Sequence, residues 1–432
     1  MFKFFVRGFV LLFFVGCVST AHRDPAWSPD DEAALASFHA AAKAAAGQPT
    51  PKEKRLAALS SPAAMADAAA LASTGPLLEI YMFNLGQADS MLVIGPKPER
   101  KTLLIDLGEP SGGTRPAGFT SSAAHVRKRI RELTKREDVD YFVLTHYHGD
   151  HAGSGKNNTG IIGLLSDFPT DFFVGEFIHV GADTEQFAAD ENERSIYKTI
   201  KSRMQGWIDA GRVGVSSEPR FGTGQIDLGS GVEVEILAFG GNVPSGPPSA
   251  FDRAIAAGRD YSVSPANEND FSIALEIRAG DFEMFTAGDL NGTDDPQKHP
   301  LFVHRTFGGG KTETYTNIEH HLIRHWETTQ RNSDVEVFRA DHHGSEYSNT
   351  AKLIGALRPE FVLYSTGGQY GHPQPEAITR AGSARQLATT AVGDKQAFKK
   401  AGGKIAGEIN IEVAVNGRTY TVEGQQQTAT AR

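Results

Sequence analysis

Four side chains of the kind that bind metals fall within six residues of this chain, in Thr145-His146-Tyr147-His148-Gly149-Asp150-His151, directly after the apolar run Tyr141-Phe142-Val143-Leu144. That run is short and apolar throughout, the pattern of a strand covered on both faces, so it predicts a buried sheet strand ending where the histidines begin. His146 and His148 stand two apart and project to one side of an extended segment, while Asp150 and His151 lie on the turn beyond. Such a loop can present imidazoles to one ion and a carboxylate with an imidazole to a second. The alternative, a surface loop that is merely rich in histidine, leaves the buried strand that feeds it unexplained.

A chain of 432 residues with 40% hydrophobic content can bury one large core or two modest ones. Its formal net charge of -9 excludes a surface that holds polyanions by charge alone, so a phosphate-bearing substrate needs a local site. Six basic residues stand between Arg127 and Arg136, but Val126, Ile130 and Leu133 recur among them at helical spacing, which makes the run the wet face of an amphipathic helix. Lys3 and Arg7 precede an apolar stretch at 9–15 that is too short to span a bilayer, and residues 1–21 read as an export signal. The sole cysteine, Cys17, follows Phe14-Val15-Gly16 and resembles a bacterial lipoprotein processing site, which implies a lipid anchor in the periplasm or outer membrane; cleavage after Ala21 and secretion is the alternative. With no second cysteine there is no disulfide, so stability comes from the core and from metal.

Residues 22–75 form an alanine-rich helical segment and linker, and residues 76–432 form the main domain. Strand-like runs stand at 78–83, 90–94, 101–105, 141–144, 172–180, 232–239, 271–277, 282–286, 335–339, 361–364, 409–413 and 419–422, with helices expected at 121–136, 191–210 and 318–328. Strand groups with helices between them define an α/β fold, a four-layer α/β/β/α sandwich. The Gly-, Pro- and Ser-rich stretch 240–269 is too long for an ordinary connection and is expected to border the site. His321 and His325 lie four apart and read as the polar face of the third helix.

The pattern His146-x-His148-x-Asp150-His151 resembles the signature of the metallo-β-lactamase superfamily, and further segments resemble the hydrolase domain of ComEC-type DNA-uptake proteins. These are Phe83-Asn84-Leu85-Gly86-Gln87-Ala88-Asp89-Ser90, Leu104-Ile105-Asp106-Leu107-Gly108, Phe285-Thr286-Ala287-Gly288-Asp289, Ala340-Asp341-His342-His343-Gly344-Ser345 and Tyr370-Gly371-His372-Pro373, the last where that family has a similar Gly-His-Pro. The resemblance implies that His146 and His148 bind a first ion, that Asp150 and His151 bind a second, and that Asp289 bridges them. One of His342 and His343 completes the set, and Asp106 holds the metal loop by hydrogen bonds. A third histidine for the first ion has no matching segment here; His179 is the only candidate, and a shortage of imidazole shifts preference from zinc toward manganese.

One or two divalent ions, Zn2+ or Mn2+, lower the pKa of a bound water and stabilise developing negative charge. Asp150 is then the catalytic carboxylate, and His372 or the free member of the His342-His343 pair supplies the proton for the leaving group. The resemblance implies phosphodiester hydrolysis outside the cytoplasm, on a small-molecule or nucleic-acid substrate, with no protein partner evident. The competing readings are an ester, lactone or β-lactam hydrolase of the same fold, and a non-catalytic lipoprotein that keeps metal for structure.

Overall fold

The computed structural model describes residues 36–38, 40, 50–54, 75–110, 114–118, 120–167, 171–181, 191–244, 267–294, 302–306 and 312–430. The expected export segment with Cys17, most of the alanine-rich segment and the middle of the 240–269 stretch lie outside the described residues. Two large sheets face each other. The first has nine strands in the order β19 (Gln425–Thr428), β18 (Thr419–Val422), β17 (Ile409–Val413), β1 (Leu78–Met82), β2 (Met91–Ile94), β3 (Thr102–Ile105), β4 (Asp138–Leu144), β5 (Phe173–His179) and β6 (Val213–Ser217). The second has eight, β16 (Lys404–Ile405), β15 (Arg385–Ala388), β14 (Phe361–Tyr364), β13 (Val337–Arg339), β10 (Phe282–Thr286), β9 (Ala274–Ala279), β8 (Val232–Ala238) and β7 (Gly222–Ile226). A separate ribbon pairs β11 (Phe302–Thr306) with β12 (Thr312–Thr316).

The layers follow from the two-residue period of the strands. On β4, Val143 joins the core between the sheets while Phe142 and Leu144 face an outer core, packed with Val126 and Ile130 of helix Ser122–Thr134 and Trp207 of helix Glu191–Asp209. On β10 and β13, Met284 and Val337 point between the sheets while Phe285 and Phe338 face Leu322 and Trp326 of helix Ile318–Thr329. Three buried cores therefore separate four layers, an α/β/β/α sandwich, and burial on both faces explains why these strands are apolar throughout. The basic residues near 127–136 are answered by carboxylates: Arg127 by Glu137, Arg129 by Glu408 and Glu132, Arg136 by Asp138 and Asp140.

Strands β3 to β6 run parallel in the first sheet, and β10 and β13 to β16 run parallel in the second. Their carboxyl ends meet at one edge of the sandwich, and the chain leaves β3, β4, β10, β13 and β14 there through the segments around Asp106, His146, Asp289, His342 and His372. Ligand-binding loops of open α/β sheets gather at such strand ends.

Candidate metal centre

Asp106, just past β3, has left-handed backbone (φ 56) and turns its carboxylate under the histidine loop. One oxygen accepts from the Thr145 backbone N–H at 2.8 Å; the other accepts from the Thr145 hydroxyl and from His151 Nδ1, both at 2.8 Å. The Thr145 hydroxyl has given its hydrogen to Asp106, so it accepts from His146 Nδ1 at 3.1 Å. Across the site, His343 Nδ1 donates to the Ser365 carbonyl at 2.7 Å. Each of these three imidazoles is thus held through a hydrogen on Nδ1 and turns Nε2 toward the centre, the arrangement of a ligating histidine fixed from behind.

Those nitrogens face further potential ligand atoms. His146 Nε2 lies 2.8 Å from His148 Nδ1, His151 Nε2 lies 3.0 Å from Asp289 Oδ1, and His343 Nε2 lies 3.2 Å from Asp150 Oδ2. His151 Nε2 and Asp289 Oδ1 are buried without a hydrogen-bond partner. A nitrogen lone pair and a carboxylate oxygen this close repel unless a cation, a proton or a metal ion, stands between them, so the His151–Asp289 and His343–Asp150 pairs fit a divalent ion. Burial opposes charge on His151, yet the Asp289 and Asp106 carboxylates hold its pKa well above the ordinary value. Burial likewise opposes the charge of Asp289, which His151, His342 and His343 keep ionised far below the usual carboxylate range. A pocket that draws in a proton this strongly draws in a metal cation on the same electrostatic grounds.

Two groups of donor atoms each lie within 4.8 Å of one another: His146, His148 and Asp289 in one, and Asp89, His151, Asp289 and His343 in the other. Asp289 belongs to both. Asp150, expected with His151, stands beside the second group through His343 rather than within it. His342, also expected as a ligand, is in neither group: its Nε2 is 3.8 Å from Asp289 Oδ2 and its Nδ1 faces the Asn269 side-chain amide at 3.2 Å. The two histidines diverge because both sit in left-handed backbone, at φ 50 and 53, which aims successive side chains apart. Asp89 is the donor that sequence reasoning missed. It lies on the turn between β1 and β2, forms a buried ion pair with Arg339 at the end of β13, and so neutralises an arginine beneath the site as well as offering oxygen to the second group.

His179 stands apart from both groups. Its Nδ1 bonds the Tyr147 hydroxyl at 2.7 Å and its Nε2 the Ser216 hydroxyl at 2.9 Å, and burial depresses its pKa to about 3. Both nitrogens are engaged within the protein, which makes it a structural histidine. His321 and His325 are buried, not on a polar face, because they share the inward side of their helix with Ile318, Leu322 and Trp326. The end of the 240–269 stretch does border the site: Glu268 accepts from the Tyr147 backbone and Asn269 touches His342.

His372 is held by Gln87 from the turn after β1. The Gln87 side-chain oxygen accepts from the Gly367 backbone and the Thr366 hydroxyl at 3.0 and 3.2 Å, so its amide nitrogen faces His372 Nδ1 at 3.3 Å. Nδ1 is therefore the acceptor and Nε2 carries the hydrogen. Burial and the neighbouring imidazoles of His342 and His343 push its pKa down to about 2. The expected proton donor is thus a neutral ring, able to give a hydrogen bond and holding no spare proton to release.

Residues 84–157 match the family model of the metallo-beta-lactamase superfamily, from the turn after β1 to just past the histidine loop. Compared with curated proteins the chain has no match. Among solved structures it is similar to the metallo-beta-lactamase fold protein YhfI from Bacillus subtilis, at 10% identity over 74% of this chain and 98% of that one with a TM-score of 0.36. It is also similar to unliganded yeast PDE1, at 11% identity over 81% and 99% with a TM-score of 0.36. A third is Zn(2+)-bound PqqB from Methylobacterium extorquens, at 11% identity over 76% and 97% with a TM-score of 0.36. Residues 84–157 thus match a metallo-β-lactamase superfamily domain, a fold whose members are generally hydrolases, and a candidate metal site lies at the sheet ends.

Proposed function

We propose that this chain is an exported metal-dependent phosphodiesterase or nuclease of the ComEC-like kind, anchored through a lipid at Cys17 and using one or two divalent ions, zinc or manganese. The observation that carries the metal reading is the pair of nitrogen-to-carboxylate contacts at His151 and His343, each imidazole held from behind through Nδ1. Support for the ComEC-like reading comes from the five resembling segments, which lie far apart in sequence and gather around one centre; Gln87 and His372, 285 residues apart, are in contact. Two carboxylates among the donors, Asp89 and Asp289, with Asp150 beside them, suit a hard cation such as manganese as well as zinc.

His146, His148 and Asp289 would hold one ion, and Asp89, His151, Asp289 and His343 the other. A divalent cation there supplies Lewis-acid polarisation and acidifies water toward neutrality. The remaining work falls to side chains: Asp150, partly exposed beside His343, is an acceptor that orients water, and His372 Nε2–H donates a hydrogen bond to a substrate oxygen.

The mature protein, loaded with zinc or manganese, should contain stoichiometric ion and hydrolyse bis(p-nitrophenyl) phosphate, with turnover lost in Asp150→Ala. Labelled palmitate should enter the wild-type chain and be absent from Cys17→Ser. Turnover of a β-lactam with none of the diester would move the assignment to amide chemistry, and full metal without turnover of either would leave the structural lipoprotein.

A further inference from the structure

Tyr370 stands where an exposed aromatic costs most. Its backbone is left-handed (φ 55, ψ 14), a conformation that strains a non-glycine residue. The residue is 70% exposed, so burial returns little for that strain. The loop around it is fixed: Gly367 N–H donates to Gln87, Gly368 N–H to the Thr366 hydroxyl, His372 N–H to the Gln369 carbonyl and Gly393 N–H to the His372 carbonyl. Gly368 and Gly371, on either side, are also left-handed, at φ 75 and 80, and a glycine at 370 would fit without strain.

The ring leads toward the metal donors. Its centroid is 6.0 Å from that of His372, whose ring in turn stacks on His343 at 6.0 Å and 23°. Tyr370, His372 and His343 form a file of aromatic rings running from solvent to the second donor group, with only the outermost left bare.

We propose that Tyr370 is a specificity-determining platform on which a planar unsaturated ring of the substrate, of the nucleobase type, stacks while the adjoining diester reaches the centre. This deepens the phosphodiester reading and rests on it. Stacking of a base on an aromatic side chain amounts to about 5- to 150-fold in binding, roughly 1–3 kcal/mol.

The test compares a thymidine dinucleotide with its abasic counterpart, which keeps the same phosphodiester, on the metal-loaded protein. Tyr370→Ala should raise KM for the dinucleotide about tenfold or more with kcat, metal content and turnover of the abasic diester unchanged, and Tyr370→Phe should restore wild-type KM. Calorimetric titration with a non-hydrolysable phosphorothioate dinucleotide should show the same loss of affinity in Tyr370→Ala. Equal effects of Tyr370→Ala on both diesters, or a Tyr370→Phe variant as impaired as Tyr370→Ala, would overturn the platform and leave the phosphodiester reading intact. A wild-type protein that cleaves neither diester would remove the parent reading and the platform with it.

Discussion

Asp106→Asn is a one-atom change whose effect on metal binding can be worked out in advance. The Thr145 backbone N–H needs an acceptor at 2.8 Å, so the amide oxygen of asparagine takes that place and its NH2 turns toward the Thr145 hydroxyl and His151 Nδ1. Two donors cannot face each other, and His151 must move its hydrogen to Nε2, the nitrogen that faces Asp289. A hydrogen bond from imidazole to a buried carboxylate contributes about 1.5–3 kcal/mol. At about 1.4 kcal/mol per tenfold, zinc or manganese should bind about 10- to 150-fold more weakly, in line with the roughly 10- to 100-fold typical of groups behind a ligating histidine. The assay is calorimetric titration of the metal-free variant, with circular dichroism to establish that it is folded. A folded Asp106→Asn protein that binds the ion as tightly as wild type would refute the tautomer argument on which the site assignment rests.

Two further outcomes follow from buried groups outside the donor set. His179→Ala should leave metal stoichiometry unchanged while lowering the melting temperature, since it removes partners from Tyr147 and Ser216 and no ligand; loss of an ion on plasma emission analysis would make it the missing third imidazole. Burial raises the Glu319 carboxyl from 4.5 to about 7, where it accepts from Asn349 and Thr350. The folded state therefore keeps a proton that the unfolded state has released, so its contribution to stability is full below about pH 4.5 and is lost as the pH rises through about 7. Urea melts at pH 5 and 8 should show that decline in wild type and a flatter profile in Glu319→Gln; equal slopes would count against it.

The parts of this molecule that could be read from its sequence are those governed by local period. The apolar run at 141–144 ends where β4 ends, and helix Ser122–Thr134 begins after Ser121, whose side chain caps the Ala124 N–H. Edge strands were illegible: β7 is GTGQI and β19 is QQQT, with glycine or exposed polar residues in place of an alternating apolar face. Within the site, period two could have separated His179 from the donors, because its partner Tyr147 stands between His146 and His148 and so points to the opposite face. Asp89 could not be weighed this way. Its meaning depends on Arg339, which lies 250 positions further along and only meets it across the two sheets. The divergence of His342 from His343 depends on two successive left-handed residues, which sequence gives no reason to expect of histidine.

The donors come from both sides of the sandwich: His146, His148 and His151 stand at the end of a strand in one sheet, Asp289 and His343 at strand ends in the other. An ion gripped by donors from both sheets, as each group provides, is a rivet through two plates that otherwise rely on the apolar contacts of the inner core. Its binding energy becomes part of what keeps the plates together, so a chelator should loosen the whole body as it silences the chemistry.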